Sequence, residues 1–190
     1  HIWAMYWKLV DTAGYSPEQK ERFGTDRGQL VYDALVEAAK RGVQLRFITG
    51  VGITGIAELE AIQRQYPRQV SFQLYNASAW YDGGIMHMKA WIFDSNRALI
   101  TSSNTDWRSL TQVKELGVAL EGSPGFQAVK DLQLYFDRWW IWTKPAFEAS
   151  LQSPRIEVLD PYLQETRLVP CFSNFGDYVP SKRGLACNSP

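Results

Sequence analysis

His87, Lys89, Asp94, Ser102 and Asn104 are the residues of this 190-residue chain whose types and spacing suit bond-breaking chemistry. They read as His-x-Lys-x4-Asp, with a Ser-x-Asn beginning eight residues past the aspartate. An imidazole serves as a covalent nucleophile or a general acid near neutral pH. An ammonium and a carboxamide N–H hold phosphoryl oxygens as charge grows on them, and Ser102 adds a hydroxyl donor. Such a set is what cleavage of a phosphodiester without metal requires. Asp94 reads either as a partner of Lys89 or as support for a turn. Glu115 is a candidate for orienting the imidazole through its other nitrogen.

These side chains need elements that bring them together. In a strand over 87–93, His87 and Lys89 point to one side. A second strand over 98–101 leads to Ser102 and Asn104, and Asp94-Ser95-Asn96-Arg97 joins the two as a hairpin. Arms about 4.8 Å apart bring all four groups to one pocket. Upstream, 2–9 reads as a buried strand, 11–26 as a loop with a short helix, 43–48 and 70–75 as strands, and 55–65 as a helix. Leu30, Val31, Ala34, Leu35 and Ala38 lie at helical spacing within 29–41, which Gly42 closes. A strand over 113–120 and a helix over 125–142 follow. The order predicts an α/β fold, a mixed β-sheet flanked by helices. From Lys144 onward periodicity fades and proline recurs. The expected organisation is therefore a catalytic domain over 1–143 and an extended, proline-containing connector over 144–190.

Twenty basic and twenty acidic residues cancel, so any polyanion site must be a local patch. Eight Trp, nine Tyr and nine Phe are expected mostly in the core. No run approaches the roughly 18 apolar residues of a membrane span. The abrupt apolar start at His1-Ile2-Trp3 reads as a processed or cut end. Cys171 and Cys187, a disulfide candidate, and the glycosylation sequon Asn76-Ala77-Ser78 both favour an oxidising compartment. Trp80 and Tyr81 are candidates for stacking nucleic-acid bases. Trp139-Trp140-Ile141-Trp142 reads as core or interface rather than a stacking platform. His87 is the only histidine besides His1. Burying it with a lysine on one face without purpose is costly.

The half-site His87-x-Lys89-x4-Asp94 with Ser102-x-Asn104 resembles the signature of the phospholipase D superfamily. Asp106-Trp107-Arg108-Ser109-Leu110-Thr111-Gln112-Val113-Lys114-Glu115-Leu116-Gly117 is similar to the first half of the animal endolysosomal phospholipase D-like proteins. Those proteins include 5′ exonucleases on single-stranded nucleic acid. Thr101 departs from the family pattern, which usually has glycine there. The resemblance implies one half of a pseudo-twofold fold, with no cofactor and no metal. It implies that one histidine forms a phosphohistidine while a second protonates the leaving oxygen, so His87 takes one role and Lys89 and Asn104 bind the phosphate. The second half is then a separate chain of a processed precursor or a homodimer mate, and the setting is endolysosomal or secreted. Hydrolysis or exchange of phospholipid headgroups is the alternative substrate reading, and an inactive binding module is the other.

Overall fold

The computed structural model describes residues 1–51, 55–79, 84–121 and 126–143. His1–Tyr75 and the described chain from Met86 onward form one compact unit, while Asn76–Ile85 belongs to a second. Everything that follows concerns the first unit unless stated.

Eight strands and five α-helices are present among the described residues. They are β1 (Ile2–Ala4), β2 (Trp7–Lys8), α1 (Pro17–Phe23), α2 (Asp26–Lys40), β3 (Leu45–Gly50), α3 (Ile56–Gln65) and β4 (Val70–Tyr75). After these come β5 (Ala90–Phe93), β6 (Arg97–Thr101), β7 (Thr105–Asp106), α4 (Trp107–Thr111), β8 (Gly117–Glu121) and α5 (Gln127–Trp142). Six strands form one sheet in the order β4-β3-β1-β5-β6-β8. The β4, β3 and β1 side is parallel, and β5, β6 and β8 continue it antiparallel. A mixed sheet flanked by helices is the result.

Alternation along β1 shows why both faces are covered. Ile2 and Ala4 join Leu35 of α2 and Leu59 of α3 in one buried cluster. Trp3 points to the opposite face, where it meets Phe136 and Trp139 of α5 edge-on. The Trp-rich end of α5 is thus partly core, with Trp142 buried and Ile141 exposed. Trp139 also packs on Tyr75, and Arg46 lies over the Trp140 ring. In α2 the buried positions are Gly28, Leu35 and Ala39, whereas Leu30 turns outward. Helical spacing located the helix there but placed its inner face too broadly.

The predicted strand over 2–9 is broken. β1 belongs to the large sheet, but β2 leaves it and pairs in parallel with β7, Trp7 opposite Thr105 and Lys8 opposite Asp106. Two contacts pull β2 away. The buried carboxylate of Glu58 in α3 accepts the backbone N–H groups of Leu9, Val10 and Asp11 at 2.9, 2.9 and 3.2 Å. Gly28 and Gly55 meanwhile let α2 and α3 approach this segment closely. A Cβ at Gly28 would stand 2.0 Å from the carbonyl oxygen of Leu9, and one at Gly55 1.5 Å from that of Trp7. Met5 and Tyr6 occupy the break.

Two further boundaries differ from expectation. β5 starts at Ala90, so His87 and Lys89 precede the strand instead of lying in it. The strand expected over 113–120 begins only at Gly117, because Trp107–Thr111 form a short helix first. Asp106 caps that helix by accepting the N–H of Arg108 at 2.9 Å.

Candidate active site

His87 is exposed while Lys89 is buried at 6% exposure. Just ahead of β5 the chain lets the lysine fold back along its own backbone. Its Nζ donates to the carbonyl oxygen of His87 at 2.7 Å and lies 3.2 Å from Nδ1 of the imidazole. A cation against Nδ1 favours the tautomer with hydrogen on Nε2, the outward nitrogen. Met5 lines the other side, its Sδ 3.8 Å from Nζ. No carboxylate stands within ion-pair distance of Lys89 among the described residues. Burial lowers its pKa below the ordinary lysine value, and the charge of Glu115 offsets part of that. A buried ammonium with no counter-ion is costly, and a nearby anion would offset that cost.

The β5–β6 hairpin delivers the second part of the site. The N–H of Thr101 donates to the carbonyl oxygen of Lys89 at 3.1 Å, so Ser102 to Asn104 leave the sheet beside the lysine. Ser102 is gripped by the segment before β8. Its hydroxyl donates to Glu115 Oε2 at 2.5 Å, its Oγ accepts the N–H of Leu116 at 2.9 Å, and its own N–H donates to the Leu116 carbonyl at 3.0 Å. Glu115 therefore bonds the serine, and no hydrogen bond joins it to the imidazole. Thr101 has a use here that glycine lacks, since its hydroxyl accepts the N–H of Ser103 at 3.0 Å and fixes the exit from β6.

Asn104 stands on a network that its local sequence does not announce. Its Nδ2 donates to the hydroxyl of Tyr6 at 3.4 Å, and Tyr6 donates to Asp106 Oδ2 at 3.1 Å. Asp106 is buried and pairs with Arg108 at 3.3 Å. The break between β1 and β2 thus inserts Met5 beside Lys89 and Tyr6 beside Asn104. Met5, Tyr6, Asp106 and Arg108 were absent from the sequence reading of the site. An aspartate directly ahead of a short helix was the available signal for Asp106.

Asp94 is not brought to this group. It sits at the opposite end of β5, about 16 Å along the chain from Lys89 at strand rise. There it and Ser95 take left-handed backbone angles, φ 49° and 55°, and the N–H of Asn96 donates to the carbonyl of Phe93 at 3.1 Å. Aspartate tolerates that conformation better than most residues, which fits the turn-supporting reading. Trp80, Tyr81, Cys171 and Cys187 lie outside the described residues. Asn76, in the second unit, accepts the hydroxyl of Ser78 at 2.7 Å within its sequon. Among the described residues no cluster of three or more His, Cys, Asp or Glu side chains forms a metal site. No helix there is long and apolar enough to cross a membrane.

A mixed sheet with His-x-Lys before its central hairpin and Ser-x-Asn after it defines the class, and sequence comparison agrees. The family model described as cardiolipin synthase, PLD-like domain, matches residues 22–140. The chain belongs to this phospholipase D-like phosphodiesterase family. Its relatives include the virion nicking-joining enzyme of vaccinia virus, 31% identical over 133 residues, covering 70% of this chain and 30% of the relative. Phospholipase D Z of Dictyostelium discoideum is 32% identical over 135 residues, with coverage of 71% and 30%. The 5'-3' exonuclease PLD3 of Xenopus laevis is 31% identical over 153 residues, with coverage of 80% and 29%. The chain thus spans about a third or less of the length of these curated relatives. Among solved structures, the phospholipase D family member Nuc of Salmonella typhimurium shares the fold. The TM-score is 0.53 at 18% identity, over 75% of this chain and 78% of that one.

Proposed function

We propose that this chain supplies one half of a metal-independent phosphodiesterase site that digests single-stranded DNA or RNA from the 5′ end. The observation that carries the reading is Lys89, a buried cation with no carboxylate partner, poised against an exposed imidazole. A phosphate group would supply the missing negative charge, with the amide of Asn104 as a further donor. Resemblance to the exonuclease and the nicking-joining enzyme supports nucleic acid as the substrate.

Two histidines share the chemistry. One attacks phosphorus, forming a P–N bond as the P–O bond to the leaving oxygen breaks, and the other gives that oxygen a proton. Water then attacks the phosphohistidine, loses its proton to the second histidine and frees the first. The second histidine comes from a second phospholipase D-like half outside these 190 residues or from a second copy of this one. An endolysosomal or secreted setting accords with the sequon and with the cysteines.

The test uses the protein as isolated with any chain that accompanies it, in the presence of a chelator. A 5′-hydroxyl single-stranded DNA oligonucleotide is expected to shorten from its 5′ end, and His87→Ala to slow this by about 10³-fold. A second reading, action on phospholipid headgroups, draws support from the similarity to phospholipase D Z. Turnover of phosphatidylcholine vesicles with none of the oligonucleotide would establish that reading and overturn the first.

A further inference from the structure

We infer that Tyr6 is a positioning residue that sets which end of the Asn104 amide faces the phosphate pocket. The inference rests on the phosphodiesterase reading of that pocket and extends it to a residue about a hundred positions upstream.

A tyrosine hydroxyl has one hydrogen to donate and lone pairs to accept with. Asp106 accepts the N–H of Arg108 at 2.9 Å and pairs with its guanidinium at 3.3 Å, so it stands toward Tyr6 as an acceptor. The single hydrogen of Tyr6 therefore goes to Asp106 Oδ2, at 3.1 Å. What remains toward Asn104 is a lone pair, and only the NH2 end of the amide can meet it. Nδ2 does so at 3.4 Å. A flipped amide would set Oδ1 against an oxygen whose hydrogen is already committed. Burial, followed by the charge of Asp106, raises the phenol pKa above its ordinary value, which favours the protonated hydroxyl.

The rest of the amide shows that this orientation is imposed from the Tyr6 side. Asn104 Oδ1 is buried and has no hydrogen-bond partner. An unsatisfied acceptor is costly, and an amide free to choose would turn it toward a donor. With one Nδ2 hydrogen on Tyr6, the other is left for a phosphoryl oxygen. The backbone fixes both partners. Asp106 N–H donates to the Asn104 carbonyl at 2.8 Å, and the parallel pairing of β2 with β7 holds Trp7 and Lys8 opposite Thr105 and Asp106. Tyr6 thus acts through Asn104 and does not need to touch substrate.

The test is a double-mutant cycle read by calorimetric titration of inorganic phosphate and by turnover of bis(p-nitrophenyl) phosphate. Tyr6→Phe keeps the ring and removes only the hydroxyl. It is expected to weaken phosphate binding by about fivefold, the scale of one hydrogen bond. In an Asn104→Ala background the same change is expected to have no further effect. A thermal melt of each variant checks that the fold is retained. Wild-type affinity in Tyr6→Phe, or an equal loss with and without Asn104, overturns the inference while leaving the phosphodiesterase reading intact. Phosphate binding with the expected coupling but no diester turnover removes that reading and leaves Tyr6 as the organiser of an anion site. A wild-type protein that binds no phosphate overturns both.

Discussion

A cation that is buried without a counter-ion destabilises the protein that carries it, and Lys89 is such a residue. Its ammonium has a carbonyl, a ring nitrogen and a thioether around it, and the nearest compensating charge, Glu115, only offsets the effect of burial. Lys89→Met keeps most of the apolar stem and removes the charge. The variant should be more stable than wild type at neutral pH, by about 1 kcal/mol, the scale of other single stabilising changes, and should lose phosphate binding. The sign of the pH dependence follows from the lowered pKa. Below the folded-state pKa the lysine is charged in both states and the folded protein bears the full penalty. As pH rises through that pKa toward the ordinary value of 10.5, the folded lysine sheds its proton and the penalty disappears. The stability gap between variant and wild type should therefore narrow as the solution is made alkaline, read as melting temperature against pH. A gap that stays constant, or favours wild type at pH 7, contradicts the account. At this scale the sequence was informative where chemistry is local. His87 with Lys89 and Ser102 with Asn104 each lie two residues apart at an end of the hairpin, so their closeness within each pair is visible in the sequence. The role of Tyr6 is not, because it depends on Asn104 and Asp106, which only folding brings near.

Among the elements, the short strand β2 decides the site's geometry. A continuous strand over 2–9 would have kept Met5 and Tyr6 in the large sheet, alternating between its faces. Parallel pairing to β7 instead sends Met5 to Lys89 and Tyr6 to Asn104. Composition hid this, since Ile2 to Leu9 is apolar enough to read as one buried strand. The residue that makes the difference lies in α3. Glu58 gathers the N–H groups of Leu9, Val10 and Asp11 on one buried carboxylate. Glu58→Ala strips that acceptor and leaves buried N–H groups unpaired. The expected loss is about 3 kcal/mol of folding stability, measured by urea denaturation. Glu58→Gln keeps one acceptor oxygen and should lose less. Phosphate affinity in Glu58→Gln should fall together with stability, because Tyr6 is anchored through this segment. A stable Glu58→Ala protein with unchanged affinity would show that β2 holds its place without α3. The predicted hairpin, by contrast, was found with its turn in place, because turn chemistry at Asp94 to Arg97 is written in adjacent residues.

For the molecule as a whole, the governing fact is that only one of its two histidines, His87, stands in a His-x-Lys pattern. A mechanism with a covalent phosphohistidine needs a second imidazole, and His1 does not supply it. The His1 ring stacks on Phe136 at 4.7 Å, with Nδ1 2.7 Å from the side-chain oxygen of Gln133, within the α5 packing. The chain also spans only about 30% of its curated relatives, which leaves room for a second half-site elsewhere in such proteins. Two arrangements compete. Either two copies place two His87 residues in one site, or a different phospholipase D-like half brings its own His-x-Lys. Mixing separates them. Wild-type chain is combined with His87→Ala chain at constant total concentration, allowed to exchange, and assayed on the 5′-hydroxyl oligonucleotide. If two His87 residues build one site, only wild-type pairs turn over, and the rate falls as the square of the wild-type fraction. At half wild type it is then about a quarter of the starting rate, because random pairing puts one pair in four together. If each chain works with a different partner in excess, the rate falls in simple proportion, to about half. Proportional loss combined with a second polypeptide in the native mass spectrum assigns the missing imidazole to that partner. Quadratic loss assigns it to His87 of a second copy, and the phosphate cradle of Lys89 and Asn104 then occurs twice around a single phosphorus.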